Sequence, residues 1–527
     1  MELISLSHSA LSLLPPVVAV LLAIITRRVL LSLGLGVLLG SFLVADSNLL
    51  LAFEYLFKTV LSLFWQEGEI NKWNVDIIVF LILLGMMTSL MTISGATKAF
   101  ASWATTRIKN PRGAKILTVL LGIFIFIDDY FNSLAVGSIA RPVTDQYKIS
   151  RAKLAYLLDS TAAPMCVIMP ISSWGAYIIA IIGGILVTHN LTDLSPLMVF
   201  IEMAPMNFYA VFALLLVLLT AWFKLDIGVM KSHEEAAQNG QLFNPKSGVP
   251  AGQIIPPAQV NQAQVKDLLI PILSLIIATV FSIIYLGAQA TEGPFNLILA
   301  FANTDATGAL VYGGLIGLLV TIAMVLRGRI QSKDFFVSLW HGARSMFPAI
   351  VILLFAWSMA SVISQLETGK YLSSLVDGSI HTAFLPAILF VLAGFMAFAT
   401  GTSWGTFGIM LPIAADLAMG TNATLLLPMM ASVLAGAVFG DHCSPISDTT
   451  ILSSTGASCH HIDHVVTQLP YALVVAGVTL IGYMVLGFSG SVLAGLCAAL
   501  LCFAIVVGLY VYKEKVSSPK EVMAASS

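Results

Sequence analysis

The chain has 527 residues, of which 58% are apolar and only 10% charged, with a formal net charge of −2. Soluble domains carry about 25% charged residues, so this density cannot clothe a protein of such size in water, and a mean hydropathy of +0.94 agrees. Most of the surface must face lipid. The small net charge excludes a broad basic field for nucleic acid, and the five cysteines, with no CxxC pair, suggest no disulfide framework.

In chain order, the first charge is Glu2, and the basic pair Arg27–Arg28 follows the first apolar run. Residues 9–26 are therefore expected to be a membrane helix, not a cleaved signal. A spanning helix needs roughly 20 apolar residues, and runs of about that length predict on the order of a dozen spans, the last ending near residue 512. Residues 48–65 contain Glu54 and Lys58 and fit an interfacial amphipathic helix or a span. The polar stretch 226–266, rich in Gln, Pro, Gly and Asn, is expected to be a loop joining a first membrane repeat (1–225) to a second (267–512), with 513–527 a polar tail.

Basic residues cluster at 107–115 and 141–153, whereas none occurs between Lys370 and Lys513. Basic residues gather on the cytoplasmic side, and one span over 116–140 would put the two clusters on opposite faces. A hairpin keeps both inside, with limbs of ~12 residues reaching ~18 Å, about the midplane of a ~30 Å hydrocarbon core. Its tip falls at Ile127-Asp128-Asp129-Tyr130-Phe131-Asn132-Ser133. A second stretch, 383–415, turns through Thr400–Thr406, is flanked by Asp377, His381 and Asp416, and is expected to open outside. Ser133 matches Ser403 and Pro142 matches Pro412, each 270 residues on; Pro170–Ser173 matches Pro445–Asp448 at 275 and Lys98 matches Lys370 at 272. The fold class expected is an all-α polytopic membrane protein with inverted-topology repeats, re-entrant hairpins and discontinuous helices.

Two adjacent carboxylates in an apolar run cost about 2.5–3.5 kcal/mol each on insertion scales. Asp128 and Asp129 therefore read as a cation or proton site, with Na⁺ expected at Asp129, Asn132 and Ser133, where carboxylate, amide and hydroxyl oxygens complete a hard-cation shell. The second tip offers Thr402, Ser403 and Thr406 but no charge. Two Pro-interrupted segments read as broken helices. One runs from Asp159 through Pro164 and Pro170 to Ser172 and Ser173; the other holds Asp441, His442, Pro445, Ser447 and Asp448. Cys459-His460-His461-Ile462-Asp463-His464 lacks the spacing of a structural zinc module and is expected to be a solvated face or a pH-sensitive element. No nucleophile–base pair marks an enzyme, and no cofactor is expected beyond Na⁺ and H⁺ as transported or coupling ions.

Gly401-Thr402-Ser403-Trp404-Gly405-Thr406-Phe407-Gly408 and Gly440-Asp441-His442-Cys443-Ser444-Pro445-Ile446-Ser447-Asp448-Thr449-Thr450-Ile451, with the order Asp128–Asn132, resemble the NhaC family of Na⁺/H⁺ antiporters, within the larger ion-transporter superfamily. The resemblance implies inverted repeats, ions held where hairpin tips meet broken helices, a multi-pass place in a bacterial inner membrane, and a possible homodimer. It implies Na⁺/H⁺ exchange by alternating access. The alternative is a Na⁺-coupled carrier of a small organic solute such as an amino acid. The long 226–266 connection and the His-rich segment depart from shorter family members.

Overall fold

A computed structural model describes all residues except 1–4, 27, 67, 127, 171, 192, 254–262, 292–293, 328–330, 369–370, 372–380 and 525–527. Lys370 and Asp377, singled out from the sequence, lie outside the described residues, as do Ile127 and Ile171. Among the described residues the chain is all-α apart from a two-stranded ribbon, β1 (Trp65–Gln66) with β2 (Glu69–Ile70). The first half runs α1 (Leu14–Thr26), α2 (Val29–Val44), α3 (Leu49–Ser62), α4 (Lys72–Ile93), α5 (Ala96–Arg107), α6 (Pro111–Phe124), α7 (Asp129–Gln146), α8 (Arg151–Cys166), α9 (Ser173–Thr188), α10 (Pro196–Met203) and α11 (Phe208–Trp222). Then follow α12 (Val229–Gln238), α13 (Lys266–Ala290), α14 (Leu297–Ala302), α15 (Ala306–Arg327), α16 (Ser332–Gln365), α17 (Leu385–Thr400), α18 (Ser403–Thr421), α19 (Leu426–Cys443), α20 (Asp448–Ala457), α21 (His461–Ser489) and α22 (Val492–Ala524).

Among the described residues, seven helices are long and apolar enough to cross a membrane, and the pair 196–206 and 208–222, bent by 53°, makes an eighth if taken as one span. The dozen apolar runs of the sequence exceed this number partly because some give apolar helices of only 10–17 described residues, as at 10–19, 30–44 and 353–365, and partly because several are broken. The run 114–140 divides between α6 and α7, 154–188 between α8 and α9, and 383–415 between α17 and α18. α3 buries Ala52, Tyr55 and Thr59 and exposes Leu50, Phe53 and Phe57. At 14 residues it reaches ~21 Å, short of a full span.

One expectation about the polar segments needs correction. The connection 226–266 is not loop throughout, because α12 forms within it and buries Met230 and Ala237, seven residues and two helical turns apart. The tail after Lys513 continues α22 as helix to Ala524.

The breaks have local causes. Asp128 is extended (φ −151°) and its side chain accepts from the Phe131 amide, so it caps α7. Gly401 ends α17 at φ +70°, a left-handed conformation that glycine adopts without steric cost. Ser172 and Ser447 are extended and cap α9 and α20 by accepting from the amides of Gly175 and Thr450. Pro170 and Pro445 lie in the two breaks, where a missing amide donor costs the ladder nothing.

Side-chain contacts fix how these pieces run. The Tyr147 hydroxyl, after α7, donates to the Ile108 carbonyl, before α6, so both limbs return to one end of the bundle. α20 runs beside α7 in the same direction: Tyr130 meets Asp448, Ser133 meets Ser453, and Arg141 meets Ser458. Gly137 and Gly456 let the two backbones touch, since a Cβ on Gly456 would sit 2.3 Å from the Ser133 carbonyl oxygen. α8 starts at the same end, where Arg151 donates to the Ala457 carbonyl (3.0 Å), and ends at the hairpin tip, where the Cys166 thiol donates to the Phe126 carbonyl (3.2 Å).

From that centre α9 and α18 run together toward the opposite end. The Tyr177 hydroxyl donates to the Trp404 carbonyl (3.5 Å), and His189 pairs with Asp416 at 3.0 Å. α17 runs alongside α19, with Ser444 donating to the Phe398 carbonyl (2.8 Å), while α18 is antiparallel to α19, so α17 and α18 also fold back on each other. The first hairpin therefore opens at the end bearing Arg141, Lys148 and Arg151, and the second at the end bearing His189 and Asp416. That is the inverted arrangement inferred from charge placement. Helix starts refine the register: α7 begins at Asp129 and α18 at Ser403, 274 residues on, four more than the Ser133–Ser403 match implied.

Opposite openings have a direct consequence for labelling. With Cys497 and Cys502 replaced by Ser, Gln146→Cys should react with an impermeant maleimide only from the cytoplasmic side and Gly420→Cys only from the other. Both positions are exposed, and a Cβ at Gly420 meets nothing within 4 Å. Reaction of both from one side would refute the inversion.

Candidate functional site

Four half-helices, α7, α9, α18 and α20, start in the middle of the bundle. Helix N-termini carry unsatisfied amides and partial positive charge, so the centre suits carboxylates, and it holds several. Asp129, the first residue of α7, is 1% exposed. Its Oδ1 accepts from Nε1 of Trp174 in the first turn of α9 (2.9 Å), and its Oδ2 is buried without a partner. Asp448, the first residue of α20, accepts through Oδ2 from the Tyr130 hydroxyl at 2.5 Å. Asp441, in the last turn of α19, is fully buried and collects hydroxyls from three directions. Ser447 donates to Oδ1 (2.5 Å), and Ser403 (3.0 Å) and Thr449 (3.2 Å) donate to Oδ2.

These carboxylates have neutral partners. Among the described residues no Lys or Arg pairs with Asp129, Asp441 or Asp448; the buried cations lie at the end where the first hairpin opens. There Lys153 pairs with Asp226 at 2.9 Å, and Arg151 with Asp145 at 2.6 Å. Buried charge without a counter-charge is expensive, so the centre requires either protons on the carboxylates or a cation among them. Carbonyls at the half-helix ends add further hard oxygens: Ser172 donates to those of Cys166 (2.7 Å) and Met169 (2.8 Å).

The residues predicted from sequence divide into two groups. Asp128, Asp129, Ser172, Ser403, Asp441, Ser447 and Asp448 lie at the centre. Asn132 and Ser133, expected beside Asp129 around Na⁺, are turned to other tasks. The Asn132 amide donates to the carbonyls of Gly122 (2.6 Å) and Ile125 (2.8 Å), tying the limbs of the hairpin, while its Oδ1 is buried and unpartnered. The Ser133 and Ser453 hydroxyls share a hydrogen bond of 2.9 Å. Thr402 caps α18 without a side-chain cap bond, and Thr406 donates back to its carbonyl at 3.0 Å, a bond within the helix. Ser173 begins α9, and its side chain lies outside the described set.

A match to the model of the Na⁺/H⁺ antiporter family runs over residues 165–488, more than half of the chain. The chain belongs to the Na⁺/H⁺ antiporter family. In this antiporter the match takes in α18, α19 and α20 but not Asp128 and Asp129, which precede it. An uncharacterised protein of Haemophilus influenzae is 52% identical over 513 residues, 96% of each chain. A malate-2H⁺/Na⁺-lactate antiporter of Bacillus subtilis is 32% identical over 173 residues, 32% of this chain and 36% of its own. An uncharacterised Na⁺/H⁺ antiporter of Haemophilus influenzae is 38% identical over 150 residues, 27% and 30% of the two chains. The protein is thus a multi-pass membrane transporter.

The His-rich segment is not the solvated face that its polarity suggested. His461 and His464 are buried, because this segment is the first turn of α21 and faces α8 and α20. His461 Nε2 lies 2.7 Å from the Pro445 carbonyl oxygen, and His464 Nε2 lies 3.2 Å from Asp159 Oδ2. Sequence reasoning quoted Asp159, Tyr130 and Thr449 only as parts of motifs, and gave no role to them, to Trp174 or to Gln468. A signal for one group was present, since His464 and Gln468 are one turn apart on one face and Asp159 sits among apolar and small residues.

The Tyr130–Asp448 bond joins the first hairpin to the second broken helix and should be measurable. Tyr130→Phe leaves a buried carboxylate oxygen without its donor, at about 1–3 kcal/mol. In a double-mutant cycle read by thermal unfolding in detergent, Tyr130→Phe with Asp448→Ala should lose less stability than the two single changes added. Strict additivity would show that the contact carries no energy.

Proposed function

We propose that this antiporter exchanges Na⁺ for H⁺ across the bacterial inner membrane by alternating access. The observation that carries the reading is the set Asp129, Asp441 and Asp448, buried together at four helix starts and answered by an indole, three hydroxyls and a phenol instead of a cation. Such a set is held neutral by protons or by a hard cation, and occupation by one displaces the other. That competition is the exchange step. Asp129, Asp441 and Asp448 take the charge, while Ser403, Ser447 and Thr449 supply neutral oxygens. Hairpins opening at opposite ends give the centre two routes, and rocking of one hairpin with its packed half-helix would expose it to one side at a time. The basic end faces the cytoplasm on this reading.

A second reading, a Na⁺-coupled carrier of a small organic solute, has one observation in its favour. Beside the carboxylates, Trp174, Trp404 and Tyr177 form an aromatic layer with ring centroids 4.9–5.9 Å apart, and Trp404 Nε1 is buried without an acceptor. An indole donor at the edge of an apolar wall suits a solute carboxylate, and one relative is the malate-2H⁺/Na⁺-lactate antiporter of Bacillus subtilis.

Everted membrane vesicles decide between these. Na⁺ addition should collapse a preformed proton gradient with wild-type protein, and Asp129→Asn, expressed to the same level, should reduce the response to that of empty vesicles. Normal exchange by Asp129→Asn would remove that carboxylate from the mechanism. A Na⁺ response that appears only when an organic acid or amino acid is supplied would favour the second reading.

A further inference from the structure

Behind the site lies a second buried group of polar side chains that the exchange reading does not use. Asp159, in the middle of α8, is fully buried and accepts on both oxygens. Ser453 of α20 donates to Oδ1 (3.0 Å), Gln468 of α21 donates to Oδ2 (2.5 Å), and His464 Nε2 lies 3.2 Å from Oδ2. Gln468 donates also to the carbonyl of His442 (3.0 Å), the neighbour of Asp441, and His442 Nδ1 lies 3.1 Å from the Tyr209 hydroxyl. Ser453, through its bond with Ser133, links the group to the helix that begins at Asp129.

Three polar atoms here, His464 Nδ1, His442 Nε2 and Gln468 Oε1, are buried without partners. Purely structural clusters satisfy such atoms. A cavity of about 10 Å³ touches His442, Gln468, Tyr156, Ser160, Tyr209 and Tyr471, room for about one water. Tyr471 borders it on the far side, where its hydroxyl donates to the Leu225 carbonyl (2.7 Å) and accepts from Lys153 (3.1 Å) at the basic end. The titratable groups facing the Asp159–His464 pair are Asp441, His442 and Cys443 from α19, Tyr209 from α11 and His461 from α21.

We infer that Asp159 and His464 form a proton-binding site distinct from the cation site, filled when Na⁺ is absent and emptied toward the basic end when Na⁺ arrives. The inference rests on the exchange reading and adds where part of the proton load is carried. One proton shared by the pair, as imidazolium beside carboxylate, leaves as one positive charge enters at Asp441, so the buried charge stays constant. Asp159 acts electrostatically on Asp441, so a positive charge at one site raises the cost of a second at the other in a medium of low effective dielectric.

The test uses the purified full-length protein in detergent with weak buffer, a pH-sensitive dye and radioactive Na⁺. Wild-type protein should release protons on Na⁺ addition. His464→Gln, which keeps a donor for Asp159 but cannot titrate, and Asp159→Asn should each bind Na⁺ while releasing fewer protons per Na⁺ bound. An unchanged ratio in both variants overturns the second site and leaves the exchange reading intact. Loss of Na⁺ binding in both also overturns it, because the pair would then belong to the cation site. No proton release by wild-type protein would overturn the exchange reading and this inference together.

Discussion

Buried carboxylate in a lipid-facing chain is the constraint from which the rest of this structure follows. Asp129, Asp441 and Asp448 could not lie where they do inside a continuous helix, whose amides and carbonyls are spent on each other. Interrupting the helices frees amides at the starts of α7, α9, α18 and α20, and it is these starts that the acidic and hydroxyl side chains meet. The interruptions in turn need residues that end and begin helices within an apolar medium. Asp128, Ser172 and Ser447 cap with their own oxygens, Gly401 turns at positive φ, and Pro170 and Pro445 occupy positions that need no donor. Fold and site are one solution to one electrostatic problem.

Much of this could be read from the residues alone, for a physical reason. Lipid allows few exceptions, so each charge or proline in an apolar run carries information. The basic clusters flanking 116–140 demanded a hairpin, and the bond from Tyr147 to Ile108 closes one. The absence of basic residues around 383–415 implied the opposite opening, and the contacts of α17 and α18 along α19 provide it. Capping serines at 172 and 447 fall at the 275-residue shift that the Pro-Ile-Ser motifs gave.

What the residues could not show was partnership. Asn132 and Ser133 follow Asp129 by three and four residues, on the same side of α7, yet the elements packed around them give them other partners. One ties its own hairpin and the other reaches α20. The His-rich segment looked wet because composition does not say which helix will cover it, and α8 and α20 do. Likewise α12 was hidden in a polar stretch because its buried contacts are only Met230 and Ala237, too few to make a period.

Symmetry sharpens where the chemistry lies. Asp129 and Ser403 begin corresponding helices, as do Ser173 and Asp448, so each repeat contributes charge at only one of its two half-helix starts. The charged starts belong to the first hairpin and the second broken helix, and these two pack directly, through Tyr130–Asp448, Ser133–Ser453 and the Gly137–Gly456 approach. The uncharged starts belong to the second hairpin and the first broken helix, and they meet through Trp174, Tyr177, Trp404 and Phe407. The packing is thus divided not along the sequence repeat but across it, into a pair joined by polar contacts and a pair joined by aromatic ones. Several bonds join the two pairs, among them Cys166 to Phe126, Ser444 to Phe398 and Ser453 to Asp159, and two more, Trp174 to Asp129 and Ser403 to Asp441, are made to the site carboxylates. On the exchange reading proposed above, a cation or proton arriving there would change those two carboxylate bonds directly, so ion occupancy would bear on how the two pairs sit against each other.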